Sequence, residues 1–240
     1  MGKPKKKSVS FEKVHGDAED AGKATTDTTK KASNGAIPRV KNRLMVFPIH
    51  NLIVLVTMFH IGLVNNVYET MMKGFVTLAS LQVVYNYILL QNVADSKKSK
   101  QNTNGPLLIF GSMLISVILV VPLYVLLVIL GAPFMSYTKE TVALCLHLSL
   151  LVFNPLLVLY KFDFSHFNLV FVQDKIYNKI FTHPVLSASL MAIITAWLGV
   201  IPIPLDWDRP WQQWPITLLV GGYLGTLIGS AVSLGLPRSE

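Results

Sequence analysis

Six apolar stretches constrain this chain more than any single motif does. They run over about 44–64, 71–92, 107–130, 140–160, 184–204 and 215–236. Each holds the roughly 20 apolar residues that a helix needs to cross a hydrocarbon core about 30 Å thick. The joints between them are short, and the charge is kept out of them. Only 14% of the 240 residues are charged, against about a quarter in soluble domains. The expected fold is all-α: a polytopic membrane protein with a bundle of six transmembrane helices over residues 43–237, behind a disordered N-terminal tail.

That tail, residues 1–42, is polar and basic and cannot bury enough apolar surface to offset its chain entropy. Lys3, Lys5, Lys6 and Lys7 form one basic cluster; Arg39, Lys41 and Arg43 form a second where the first span begins. No apolar core follows the first cluster, so no cleavable signal peptide is expected. The net charge of +8 would suit a nucleic acid. It is confined to the tail and the borders of the spans, so no nucleic-acid partner is expected. The charge instead orients the chain. With six spans, the tail, the joints after spans 2 and 4 and the C-terminus share one side, and they hold 18 of the 21 Lys and Arg residues. The other side holds only Lys73, Lys139 and Arg209. Cytosolic loops collect Lys and Arg, so both termini are expected in the cytosol and the loop 203–214 on the opposite side.

Within the spans the polar residues are few. His50 and His60 are ten positions apart and do not share a helix face, so a metal site from them is not expected; each should bond to a neighbouring helix. Pro122 and the Asn154-Pro155 pair should kink their spans. The joint 161–183 contains an amphipathic run that could lie along the interface. Cys145 is the only cysteine, which excludes an internal disulfide.

The most distinctive stretch is "PIPLDWDRPWQQWP", Pro202 to Pro215. Pro202 and Pro204 end a helix by removing backbone donors. Asp208 is placed to cap a short helix starting at Arg209-Pro210. Trp207, Trp211 and Trp214, spaced i, i+4, i+7, would then share one face. Such a loop can be an aromatic belt at the headgroup level. The functional alternative is a rigid platform for a partner or a lipid-linked glycan, because Trp and Arg are common contact anchors. In the last span Gly221, Gly225 and Gly229 repeat every four residues, an overlapping pair of G-x-x-x-G motifs that lets another helix approach closely. The chain's own bundle and a partner helix fit that stripe equally well.

No G-x-S-x-G, H-E-x-x-H, C-x-x-C or phosphate-loop motif occurs. No ionisable Asp, Glu, Lys or Arg sits mid-span, where an ion-coupled pump needs one. Catalytic residues, metals and cofactors are therefore not expected, and an accessory membrane protein is the leading reading. The alternatives are a lipid-headgroup enzyme using Asp206 and Asp208, and a lipid transporter or scramblase whose kinked spans line a path.

The run from Trp197 to Gly225 resembles the C-terminal signature of the PIG-F family of glycosylphosphatidylinositol (GPI) anchor biosynthesis, a proline-bracketed "PIPLDW-(D/E)-RPWQ-x-WP" followed by a glycine-rich last span. It maps onto Pro202, Pro204, Asp206, Trp207, Asp208, Arg209, Pro210, Trp211 and Trp214. The length of the basic tail fits a fungal member. The resemblance implies a multi-pass protein of the endoplasmic reticulum membrane whose loop is lumenal. It implies a non-catalytic subunit that binds and stabilises GPI ethanolamine phosphate transferases, which add phosphoethanolamine to mannoses of the anchor precursor. Membrane lipids and the GPI precursor would be its further contacts.

Overall fold

A computed structural model describes residues 37–93, 104–162, 176–205 and 207–237 of the chain. These residues form a helical bundle whose one β feature is an isolated antiparallel bridge between Val40 and Val93. In chain order the helices are α1 (Ile49–Ile61), α2 (Val67–Asn92), α3 (Gly105–Ile118), α4 (Val120–Ile129), α5 (Thr138–Leu148), α6 (Asn154–Tyr160), α7 (Ile176–Thr182), α8 (Pro184–Leu198) and α9 (Ile216–Gly235). A π-helical turn, Ser149–Phe153, joins α5 to α6, and a single 3₁₀ turn, Pro210–Gln212, precedes α9.

Among the described residues four helical runs are long and apolar enough to cross a membrane: Val67–Asn92, Gly105–Ile129, Thr138–Tyr160 and Ile216–Gly235. This corrects the expectation of six. The first and fifth apolar stretches form only α1, with 13 residues, and α8, with 15. At 1.5 Å per residue these rise about 20 and 22 Å, short of a core about 30 Å thick. The causes are local. Pro48 disfavours helical geometry at Phe47, so α1 starts only at Ile49. It stops at Gly62, whose φ of 107° places it in the left-handed region, with its N–H on the carbonyls of Met58 and Phe59. Gly199 and the turns through Pro202 end α8 equally early.

Both expected kinks are present, each just before its proline. The third apolar run breaks at Leu119, between α3 and α4, three residues before Pro122. The fourth widens into the π turn before Pro155, where the Asn154 N–H reaches back to the Ser149 carbonyl. Proline removes a helical donor, and a widened turn is a common accommodation. Ser189 of α8 donates to the Val152 carbonyl inside that turn (3.2 Å), so a neighbouring helix serves the distorted backbone.

The core lies where α2, α5, α8 and α9 meet. Met58, Leu78, Leu144, Leu148, Leu151, Ala192, Leu219 and Tyr223 pack there, all buried. A second cluster sits at the end of the bundle where α2 ends and α8 begins: Val46, Tyr85, Leu89, Val158 and Val185. Residues 37–42, expected in the tail, join this cluster. Val40 is buried, and the Lys41 N–H donates to the Asn92 carbonyl (2.8 Å). Residues 1–36 of the tail, the joint 94–103 and most of the amphipathic joint 161–183 lie outside the described residues.

The segment 38–43 works as a strap across this end. Arg43 Nη1 donates to the carbonyls of Ser233 (2.7 Å) and Leu236 (3.0 Å). It thereby serves the open carbonyls at the C-terminus of α9 with a cation, the sign that helix end favours. His183 Nε2 donates to the Pro38 carbonyl (3.0 Å), while its Nδ1 accepts from the Leu186 N–H at the start of α8. The Nδ1 contact requires the neutral ring, since a protonated Nδ1 cannot accept. Burial lowers the His183 pKa from 6.5 to about 4; the Pro38 bond opposes that shift and Arg43 adds to it. A group with a lowered folded-state pKa holds fewer protons folded than unfolded, so its contribution to stability is full above pH 6.5 and is lost as pH falls toward 4. The thermal midpoint in detergent should therefore fall across that window. His183→Gln, whose amide can serve both contacts without titrating, should remove part of that slope; an unchanged slope would show that His183 does not set it.

Candidate functional site

The proline–tryptophan loop connects α8 to α9 and folds on its own hydrogen bonds. Consecutive turns run from Trp197 to Leu205, with Val200 on Trp197, Ile201 on Leu198, Ile203 on Val200 and Leu205 on Pro202. Gln212 is the clamp. Its side-chain Nε2 donates to the carbonyls of Pro202 (2.7 Å) and Leu205 (3.0 Å), and its Oε1 accepts from the Arg209 N–H (2.8 Å). One buried amide thus ties three points of the loop together and satisfies groups that the prolines cannot pair. No motif or spacing in the sequence marks Gln212 for this role.

The expected short helix is only the turn Pro210–Gln212. Arg209 stands before it, and the Arg209 N–H is served by Gln212 rather than by an Asp208 cap. Asp208 instead has a φ of 44°, in the left-handed region that Asp tolerates better than most residues. Without a helix the three tryptophans do not share a face. Trp207 and Trp211 pair at the surface, with ring centroids 5.9 Å apart and exposures of 57% and 37%. Trp214 turns inward, and its Nε1 donates to Thr141 Oγ1 at the start of α5 (2.9 Å). Pro202 is half-buried, while Pro204, Asp208, Arg209 and Pro210 are exposed. Asp206 lies outside the described residues. Among the described residues no cluster of three His, Cys, Asp or Glu could hold a metal ion.

The loop stands on a seam between α8 and α9. The glycine stripe faces the chain's own α8. A Cβ on Gly225 would lie 2.5 Å from the Met191 carbonyl oxygen and 2.6 Å from Ala192 Cα; one on Gly229 would lie 2.7 Å from Ala188 Cα; one on Gly221 would overlap the Thr195 carbonyl. Gly199 is pressed in the same way against Thr217 and Leu218. The two backbones touch. Hydroxyls bond across the contact, Ser187 to the Gly229 carbonyl (2.7 Å) and Thr195 to the Gly221 carbonyl (2.6 Å). Of the two uses open to a glycine stripe, this seam is internal packing.

Polar residues deeper in the bundle tie its helices together. His147 and Tyr223 are fully buried. His147 Nε2 donates to the Met71 carbonyl (2.8 Å), which leaves Nδ1 to accept from the Tyr223 hydroxyl (2.8 Å). One ring thus joins α5, α2 and α9. Asn86 Nδ2 donates to Asn154 Oδ1 (2.6 Å), and Asn154 Nδ2 donates to Ser112 Oγ (3.3 Å), joining α2, α6 and α3. His50 bonds Gln82 of α2 as expected (3.0 Å), whereas His60 is exposed.

Residues 46–234 match the model of the GPI biosynthesis protein family Pig-F. The chain belongs to the PIG-F family. It is 43% identical to glycosylphosphatidylinositol anchor biosynthesis protein 11 of Candida albicans, with 97% of this chain and 96% of the relative aligned. It is 42% identical to the protein of the same name from Debaryomyces hansenii, over 95% and 94%. The Saccharomyces cerevisiae protein of that name is 30% identical over 80% and 78%. No solved structure matches the chain. The family match spans the whole described bundle from α1 through nearly all of α9, including the loop and the glycine seam.

Four substitutions separate loop from seam. Gly225→Ala should destabilise the fold by about 1–3 kcal/mol or more, because its methyl meets backbone that cannot yield, and Gly225→Leu should prevent folding. Gly235→Ala, with open space around it, should not. Thermal unfolding or protease resistance in detergent checks all three, and a stable Gly225→Leu protein would contradict the seam. Gln212→Ala should leave the bundle's midpoint nearly unchanged while opening the loop, read as faster hydrogen exchange at Leu205 and Arg209.

Proposed function

We propose that this protein is a non-catalytic subunit that binds and stabilises the ethanolamine phosphate transferases of GPI-anchor biosynthesis in the endoplasmic reticulum membrane. The observation that carries the reading is the exposed Trp207–Trp211 pair beside Arg209, on a loop braced from within by Gln212 and Trp214. Exposed aromatics on a preorganised backbone lose little entropy on binding and make strong contact anchors. The family's place in GPI biosynthesis supports the pathway. The resemblance of the loop to the PIG-F signature supports the transferases as partners.

The proposed topology has both termini cytosolic and the loop lumenal. The ends of the elements support it. The strap 38–43, the Asn92 end of α2, the His183 start of α8 and the C-terminus of α9 meet at one end of the bundle. The loop meets the start of α5 at the other. In this reading α1 and α8 run the same course as the long helices, and the turns flanking them complete the crossing. The basic tail lies on the cytosolic side, where it could meet anionic lipid.

Affinity purification of the full-length protein in mild detergent should bring down an ethanolamine phosphate transferase in near-equal amount. Trp207→Ala with Trp211→Ala should lower the recovered partner about tenfold or more, with the thermal midpoint nearly unchanged because the two rings pair with each other at the surface and not in the bundle core. Recovery of the protein alone, even after cross-linking in intact membranes, would overturn the subunit reading.

A further inference from the structure

Helix α2 is covered in the wrong proportion for its polarity. Of the four long runs it is the least apolar, yet only 33% of its apolar window is buried, against 78% for Thr138–Tyr160. The run Gly105–Ile129 is even less covered, at 17%, but it is the most apolar of the four. Its open face carries Leu107, Phe110, Leu114, Val117, Val121 and Leu126. That face needs nothing but lipid chains.

The open face of α2 is different. Lys73, Thr77, Ser80, Val84, Tyr87 and Gln91 are all exposed, spaced 4, 3, 4, 3, 4. This is the heptad spacing at which a second helix follows the first along a continuous seam, crossing at about +20°. Five of the six are polar, along 19 of the helix's 26 residues. Thr77 and Ser80 satisfy their hydroxyl protons on the Lys73 and Val76 carbonyls (3.1 and 2.9 Å), leaving their lone pairs as outward acceptors. In lipid such a stripe gains nothing from apolar contact. Against another helix it offers small residues for close approach and polar groups for hydrogen bonds between helices.

We infer that this stripe of α2 is the intramembrane docking seam for one transmembrane helix of a partner protein, a helix that presents small residues and hydrogen-bonding side chains at the same heptad spacing. The inference rests on the accessory-subunit reading and supplies the surface through which the partner's membrane domain is held. A second copy of this chain fits less well, since a parallel pair would set Lys73 against Lys73 and Tyr87 against Tyr87. An apolar partner helix would leave the outward acceptors unused.

The test uses the full-length protein in its native membrane. A photoreactive amino acid is placed singly at Thr77, Ser80, Val84 and Tyr87, and at Leu114 and Val121 as controls. Cross-linked products are identified by mass spectrometry. Adducts to one foreign transmembrane segment from the four α2 positions, and not from the controls, are expected. Thr77→Leu, Ser80→Leu and Tyr87→Leu together should lower recovery of that partner about tenfold while leaving insertion and the thermal midpoint intact, since leucine suits lipid. Adducts to a partner from the controls alone would overturn the seam and leave the subunit reading standing. Adducts from α2 only to a second copy, or to another segment of the same chain, would overturn it as well. Adducts to lipid alone at every position, with no partner recovered by affinity purification, would overturn both readings.

Discussion

The backbone contact between α8 and α9 is the constraint on which the rest of the structure depends. Glycines at 199, 221, 225 and 229 remove the side chains that would hold the helices apart, and the Ser187 and Thr195 hydroxyls bond across the gap. In lipid there is no hydrophobic drive to pull two apolar helices together, so close packing and hydrogen bonds supply the association. The contact is local in sequence, because a single loop joins the two helices. Once the seam forms, the ends of that loop are fixed in space, and its path from Gly199 to Pro215 has little freedom left. The loop's rigidity thus comes from the helices beneath it as much as from its four prolines.

The remaining helices are held to this pair by polar side chains rather than by shape alone. Tyr223 of α9 reaches His147, which reaches the Met71 carbonyl; Asn51 Nδ2 of α1 donates to Thr226 of α9 (2.9 Å). Trp214 fastens the loop to α5, and Arg43 and His183 fasten the strap across the opposite end. The Asn51, His147 and Tyr223 bonds are buried, where water does not compete and an unmade bond costs more than at a wet surface. Among the described residues α3 shares in this through Ser112 and Met113, both reached by Asn154, and the run Gly105–Ile129 stands mostly uncovered.

The features legible in the sequence were those with local causes. The helical class follows from apolar length, and the breaks near Pro122 and Pro155 from a missing donor. The two short helices were not legible, because hydropathy continues through Pro48 and through Gly199 to Pro204 although the backbone geometry does not. Glycine spacing announced a close helix contact but carries no information about whose helix answers it; that depends on α8 offering Ser187, Ala188, Ala192 and Thr195 in register. The shared face assigned to three tryptophans assumed a helix that the loop does not form. Gln212 escaped notice because a glutamine's value as a clamp lies in three carbonyl and amide positions that only the folded loop brings together. The strap was hidden by composition, since Arg43 reads as one more basic residue at a membrane edge until α9 ends beside it.

The proposed role of a stabilising subunit asks for rigidity where the protein grips and indifference elsewhere, and the loop and the open face of α2 divide along that line. The loop presents Trp207 and Trp211 from a frame whose own polar groups are already satisfied, so binding there need not reorganise the frame. Helix α2 presents a polar stripe from a helix anchored on its other side by Met71, Leu78 and Asn86. The apolar face of α3 and α4 offers neither polarity nor close packing and can be left to lipid. A partner that met the protein both at the loop and along α2 would be held outside the bilayer and within it at once. The second contact would then form at the high effective concentration set by the first. Modest interactions at each place would suffice for a lasting complex, which is what small exposed surfaces on an otherwise self-sufficient bundle can supply.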